Sequence, residues 1–175
     1  MQGLSPKKSL GQHFLRDENI ARKIISSIPD EVRNILEIGP GEGVLTKYII
    51  EDNRWDACFI ETDLEAVSYL KHNNPERNDR IIHGDFLKYD INQIFNNDFC
   101  LLGNLPYNIS SQIFFKALDH RQIISHMLFM VQKEVAERIA SAHGTKTYGI
   151  LSVLLQAFYE IEYLFTVNET VFFPR

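Results

Sequence analysis

The chain has 175 residues, 45% of them apolar and 23% charged, with a net charge of −5. That balance describes one ordinary globular domain, able to bury roughly 70% of its unfolded surface. It excludes a disordered tail, a collagen and a coiled coil. No stretch approaches the roughly 18–20 apolar residues of a membrane span, and the lysines near the start have no apolar run behind them, so a secretory signal is not expected. A cytoplasmic protein with no membrane partner follows as the expectation. Cys58 and Cys100 each sit inside an apolar run and read as buried reduced thiols. Two cysteines are too few for a zinc site of the C-x-x-C kind, so no metal is expected.

Taken as a total, the charge speaks against a nucleic-acid partner. Its distribution is less simple. Residues 1–23 hold Lys7, Lys8, Arg16, Arg22 and Lys23 against Asp17 and Glu18, a local +3 that leaves −8 for the remainder. A basic N-terminal segment with its helix, residues 1–28, can meet a polyanion locally even on an acidic body.

Short apolar runs alternate with helix-period segments, which predicts an α/β fold with a mostly parallel sheet. Asp17 reads as an N-cap, followed by Ile20, Ile24 and Ile28 on one helical face, and Pro29 ends the helix. NILEI (34–38) reads as the first strand and runs straight into glycines. A helix over 44–51 follows, then a strand over 56–61 and a helix over 64–71. After a polar connection, strands are predicted over 80–83, 99–102 and 126–131, with helices over 109–118 and 133–140. Residues 141–149 form a loop. Leu151, Leu154, Leu155 and Phe158 give an amphipathic helix. Two β-rich runs, 161–167 and 170–173, are expected to pair as a hairpin at the sheet edge.

In open parallel sheets ligands bind beyond the carboxyl ends of the strands, and the unusual residues fall at four such ends. The first is Glu37-Ile-Gly39-Pro-Gly41-Glu-Gly43. Glycines between strand and helix let backbone approach a ligand at the positive end of the helix. The dinucleotide fingerprint G-x-G-x-x-G fails at Val44, and carboxylates at Glu37 and Glu42 would repel a pyrophosphate. They suit a cationic ligand such as S-adenosylmethionine, with its sulfonium and ammonium groups. Glu61 lies near the spacing expected for an acid that accepts from ribose hydroxyls. Asp85 can accept from an adenine amine, or cap the turn that follows it.

The fourth strand end carries Asn104-Leu105-Pro106-Tyr107. The exocyclic amine of adenine is a weak nucleophile because its lone pair is delocalised into the ring. Two acceptors aimed at its hydrogens, the Asn104 side-chain oxygen and the Leu105 carbonyl, favour a pyramidal nitrogen with its lone pair free. Pro106 holds the Leu105 carbonyl in place, and Tyr107 offers a face for base stacking, worth about 1–3 kcal/mol. Alignment rather than a strong base would supply most of the catalysis.

Together with Lys7–Leu15 (KKSLGQHFL), EIGPGEGVLT (37–46), IETD (60–63), GDFLKYD (84–90), GNLPYNIS (103–110), FMVQKEVAERI (129–139), YGILSVLLQ (148–156) and FFPR (172–175), these motifs resemble the small-subunit rRNA adenine dimethyltransferases, within the class I methyltransferases. The resemblance covers essentially the whole chain. It implies a Rossmann-like, seven-stranded, mostly parallel sheet with helices on both faces and an antiparallel strand near one edge. It implies S-adenosylmethionine as cofactor, contacted by His13, Leu15, Gly39, Gly41, Glu61, Asp85 and Asn104, and Phe172 lying against the target base opposite Tyr107. Gln132, Lys133, Glu134 and Arg138 fall in a further motif and are expected to play a structural role, Lys133 or Arg138 being the residues that could also touch RNA. The implied substrate is two adjacent adenosines near the 3′ end of small-subunit rRNA, presented in a pre-ribosomal particle to a monomer. Two other readings stand beside it: a large-subunit rRNA methyltransferase giving antibiotic resistance, and a mainly non-catalytic assembly factor. A nicotinamide dehydrogenase is disfavoured by Val44 and Glu37. The family's C-terminal helical domain has no counterpart in these residues, so the chain is expected to be a catalytic domain that binds cofactor and methylates RNA poorly.

Overall fold

The computed structural model of the chain describes residues 4–7 and 11–174. Lys8 and Arg175, named above, lie outside the described residues. Seven strands form among the described residues: β1 (Phe14–Leu15), β2 (Asn34–Ile38), β3 (Asp56–Glu61), β4 (Ile81–His83), β5 (Phe99–Asn104), β6 (Ile124–Met130) and β7 (Phe172–Phe173). They divide five and two. A parallel sheet runs β4-β3-β2-β5-β6, and β1 pairs antiparallel with β7 in a separate ribbon.

The side chains of the sheet alternate between two apolar faces, as expected of a parallel sheet covered on both sides. Leu36, Ile38, Cys58, Ile60, Phe99 and Leu101 share one core with Ile113 of α4 (Ser110–Asp119) and Leu151 and Leu155 of α6 (Ile150–Gln156). Ile35, Ala57, Phe59, Cys100 and Leu102 face the other way. They meet α1 (Glu18–Ser26), α2 (Thr46–Glu51) and α3 (Leu64–Asn73). The helix expected to run through Ile28 to Pro29 ends two residues before Ile28, at Ser26, and its N-cap is as read: Asp17 accepts from the Asn19 and Ile20 N–H groups. α5 (Lys133–Ala140) follows β6 with the bounds expected of it.

The hairpin expected of 161–167 and 170–173 does not form. Ile161 packs on the first core, whereas Phe165 and Val167 pack on the second. The run therefore wraps around the β6 edge from one face to the other and cannot lie in the plane of the sheet. Phe172 and Phe173 pair instead with Leu15 and Phe14. Among the described residues the outer edge of β6 has no strand partner, and the Tyr159 hydroxyl donates to the Ile124 carbonyl there.

Strand order places the functional loops. From β2 the chain moves outward through β3 to β4, then returns to the other side of β2 as β5. The reversal opens a crevice between β2 and β5 at their carboxyl ends, where ligands settle in this architecture.

Candidate functional site

The two strand tips at this crevice are in direct register. Ile38 pairs with Gly103, and a Cβ on Gly103 would lie 2.6 Å from the Ile38 carbonyl oxygen. The glycine turn after β2 and the Asn104–Tyr107 segment after β5 therefore start side by side. A cavity of about 1260 Å³ opens above them, larger than the ~300–1,000 Å³ typical of small-molecule sites. Every residue expected at the site lines it: His13, Leu15, Gly39, Gly41, Glu61, Asp85, Asn104, Leu105, Pro106, Tyr107 and Phe172.

Gly39 has a φ of +64°, and nothing lies within 4 Å of where a Cβ would stand, so its backbone faces open space. Gly41 is a glycine for another reason. Its φ is +56°, and a Cβ there would sit 2.9 Å from a ring carbon of Phe14 in β1. The Gly41 N–H donates to Glu61 Oε2 (3.0 Å), while Glu61 Oε1 accepts from the Asp63 N–H (2.9 Å). Oε1 also accepts from the Thr62 hydroxyl at 3.4 Å, and Oε2 keeps a further lone pair for a ligand hydroxyl. Of the two readings of Asp85, the turn cap is seen: Oδ1 accepts from the Leu87 N–H (3.0 Å), while Oδ2 lies 3.6 Å from Lys88 Nζ.

Asn104 sits at the end of β5. Its Nδ2 donates to the main-chain carbonyl of His13 at 2.7 Å, which fixes the sense of the amide and leaves Oδ1 without a protein partner among the described residues. Tyr107 is 50% exposed, and the His13 ring stands 4.9 Å from it, centroid to centroid, at 36°. His13 Nδ1 lies 3.0 Å from the Pro174 carbonyl oxygen, an acceptor only, so Nδ1 is the donor. Phe172 lines the cavity, while its neighbour Phe173 turns outward beneath the Arg16 guanidinium.

The sequence reading did not anticipate how the N-terminal segment is held. Lys7 Nζ reaches Asp63 Oδ1 at 2.7 Å and Glu65 at 2.9 Å, and Gln12 Nε2 reaches Asp63 Oδ2 at 3.3 Å. Burial works against the Asp63 charge, but the bonds from Lys7, the Glu65 N–H and Gln12 outweigh it and hold the carboxyl below its ordinary range. The only sign of this latch in the sequence is the KKSLGQHF stretch itself. Of the further residues named, Lys133 lies at the cavity wall and pairs with Glu137 (3.6 Å), whereas Arg138 is not among the lining residues. Glu42 lies 4.0 Å from Arg16. Glu37 is 2% exposed, accepts from the Thr46 hydroxyl at 2.7 Å, and burial, opposed by that bond and reinforced by Glu61, pushes its carboxyl up to about 8.

These residues fit a cationic adenosine-bearing ligand. Acceptors stand at Glu61, Asp85 and Asn104, the Gly39 backbone is unobstructed, and among the described residues the one cation paired with the glycine turn, Arg16, is 4.0 Å from the Glu42 carboxylate.

The whole of this arrangement lies within residues 3–175, which match the ribosomal RNA adenine dimethylase family. A protein of Parabacteroides distasonis named ribosomal RNA small subunit methyltransferase A is 54% identical over 99% of this chain and 65% of its own length. One of the same name from Flavobacterium johnsoniae is 55% identical over 99% of this chain and 67% of its own. The chain thus spans about two thirds of the length of these curated relatives. Among solved structures, a dimethyladenosine transferase from Plasmodium falciparum superposes with a TM-score of 0.67 at 28% identity, covering 82% of this chain and 52% of that one. The 23S rRNA methyltransferase ErmE gives 0.58 at 27%, covering 71% and 50%.

Proposed function

Because the chain belongs to the ribosomal RNA adenine dimethylase family, we propose that it carries the methyl-transfer site of an S-adenosylmethionine-dependent rRNA methyltransferase. The product is dimethylation of the exocyclic amine of two adjacent adenosines near the 3′ end of small-subunit rRNA, within a pre-ribosomal particle. The chain acts as a monomer in the cytoplasm; among the described residues no helix is long and apolar enough to cross a membrane. The small-subunit names of relatives above 50% identity favour this target over the large subunit, whose 23S enzyme is 27% identical.

The observation that carries the reading is the Asn104 amide, held by the His13 carbonyl at 2.7 Å with its oxygen free beside the glycine turn. S-adenosylmethionine, when bound, supplies an electrophilic methyl group. Gly39, Gly41, Glu61 and Asp85 hold its adenosine, and His13 and Leu15 border its amino-acid end. Asn104 Oδ1 and the Leu105 carbonyl accept from the two amine hydrogens of the target adenine and direct its lone pair at the methyl carbon. Tyr107 and Phe172 close on the two faces of the base. Extruding that base from RNA costs a few kcal/mol, least in a loop.

The test is mass spectrometry of both rRNAs from a strain lacking the gene, with and without complementation. Dimethyladenosine should be lost from the small-subunit rRNA and restored; loss confined to the large subunit overturns the assignment. For the cofactor, Glu61→Ala should weaken S-adenosylmethionine binding about 10–100-fold by calorimetry, the effect of losing hydrogen bonds to a charged group. An unchanged affinity would remove Glu61 from the ribose site.

A further inference from the structure

Residues 11–14 touch the loop beyond each of three neighbouring strands. Gln12 Nε2 reaches Asp63 Oδ2 beyond the tip of β3 (3.3 Å), and the Phe14 ring lies against Gly41 beyond β2. The His13 carbonyl accepts from Asn104 Nδ2 at the end of β5 (2.7 Å). Gly11 lies against the loop after β5: a Cβ there would stand 3.3 Å from Asn108 Oδ1 and 3.6 Å from Pro106 Cβ.

At the β3 end the anchor is Asp63, which is 6% exposed. Its Oδ1 accepts from the Lys7 ammonium (2.7 Å) and the Glu65 N–H (3.0 Å), and its Oδ2 from Gln12. Gln12 is committed at both ends of its amide, because Oε1 accepts from the Lys7 N–H at 2.9 Å. Capping α3 needs only the bond from the Glu65 N–H, which a serine or asparagine would accept as well. A carboxylate this buried is costly unless it is paired and hydrogen-bonded. The donors that satisfy it beyond the cap, Lys7 and Gln12, come from the N-terminal segment.

We propose that Asp63 is a positioning residue for methyl transfer, holding Gln12 and Lys7 so that the His13 carbonyl fixes the Asn104 amide with its oxygen toward the substrate. The path runs from the Asp63 carboxylate through the Gln12 side chain and main chain to His13, and from its carbonyl to Asn104. With the anchor cut, the His13 carbonyl is no longer held. The Asn104 amide is then free to turn over and present N–H donors to an amine whose hydrogens require an acceptor. The same segment carries the His13 ring that stands 4.9 Å from Tyr107. For its effect on rate this inference rests on the methyl-transfer reading above; for its geometry it does not.

The experiment compares Asp63→Ser, Gln12→Leu and the double variant with the wild-type chain. Serine keeps a cap for α3 but is too short to reach the N-terminal segment, and leucine leaves the cap untouched. Single-turnover methyl transfer to undermethylated small subunits, at saturating S-adenosylmethionine, should fall about tenfold in each single variant. The double variant should be no slower than the slower single one, because both cut one path. A role confined to capping α3 predicts instead that Gln12→Leu matches the wild type. The second readout is nuclear magnetic resonance of the Asn104 side-chain amide, assigned by its loss in Asn104→Ala. Its resonances should shift in Gln12→Leu and exchange faster with water, although Gln12 Nε2 bonds to Asp63 and not to Asn104. A rate for Gln12→Leu within about twofold of wild type, or unmoved Asn104 resonances, overturns the proposal, whatever Asp63→Ser does to folding. A wild-type chain that transfers no methyl overturns the methyl-transfer reading instead, and the Asn104 resonances alone then decide whether the anchor holds.

Discussion

Replacing Asn104 by alanine is expected to lower the rate of methyl transfer at saturating S-adenosylmethionine by about 10²–10³-fold, while the protein stays folded. The magnitude is that of removing one preorganised polar group aimed at a reacting atom. Nδ2 of Asn104 is spent on the His13 carbonyl, which leaves Oδ1 for the substrate amine in the proposed reaction. Alanine removes the acceptor and leaves that carbonyl without its donor, a cost to stability of about 1 kcal/mol. Aspartate separates the two roles. It keeps an acceptor facing the cavity but sets a second oxygen against the His13 carbonyl at the 2.7 Å now spanned by a hydrogen bond. Asn104→Asp should therefore fail to restore the rate. The measurement is single-turnover transfer of labelled methyl to undermethylated small subunits, with cofactor affinity measured separately. A rate within threefold of wild type for Asn104→Ala would show that the β5 tip does not hold the target amine.

Much of this site is written locally. A short run rich in Ile and Leu that leads straight into glycines marks β2 in the sequence, and β2 and β3 have the predicted bounds because each is buried on both faces of the sheet. Glu61 and Asp85 were legible from their positions at strand ends. What escaped depends on partners distant in the chain. β1 is two residues long and exists only because β7 lies beside it. The alternation within 161–167 reads as a strand until Ile161 and Phe165 are seen to serve opposite faces. Gly41 reads as a point of ligand approach, yet the Phe14 ring occupies the space a side chain would need. The orientation of the Asn104 amide depends on a main-chain carbonyl, which no residue type announces.

The second large effect belongs to Gly103. Its φ is not among the positive values, so alanine meets no conformational strain there; the obstacle is the Ile38 carbonyl oxygen, 2.6 Å from the position of the new Cβ. That atom is backbone in a central strand and cannot rotate away. β2 and β5 must separate at their tips, loosening the pairing of Ile38 with Gly103 and the crevice built on it. Gly103→Ala should cost about 2–4 kcal/mol, lowering the melting temperature by roughly 5–15 °C for a domain of this size. Gly39→Ala provides the contrast. Its Cβ would meet nothing within 4 Å, so its stability cost is that of a left-handed residue alone, about 1–2 kcal/mol. Its larger penalty should fall on S-adenosylmethionine affinity, because the methyl projects into the cavity. Thermal melts and calorimetry on the two variants should thus move in opposite order, Gly103→Ala losing more stability and Gly39→Ala retaining more stability but less cofactor for its loss. A melting temperature for Gly103→Ala within two degrees of wild type would mean that the two tips are not in the close register on which the site depends.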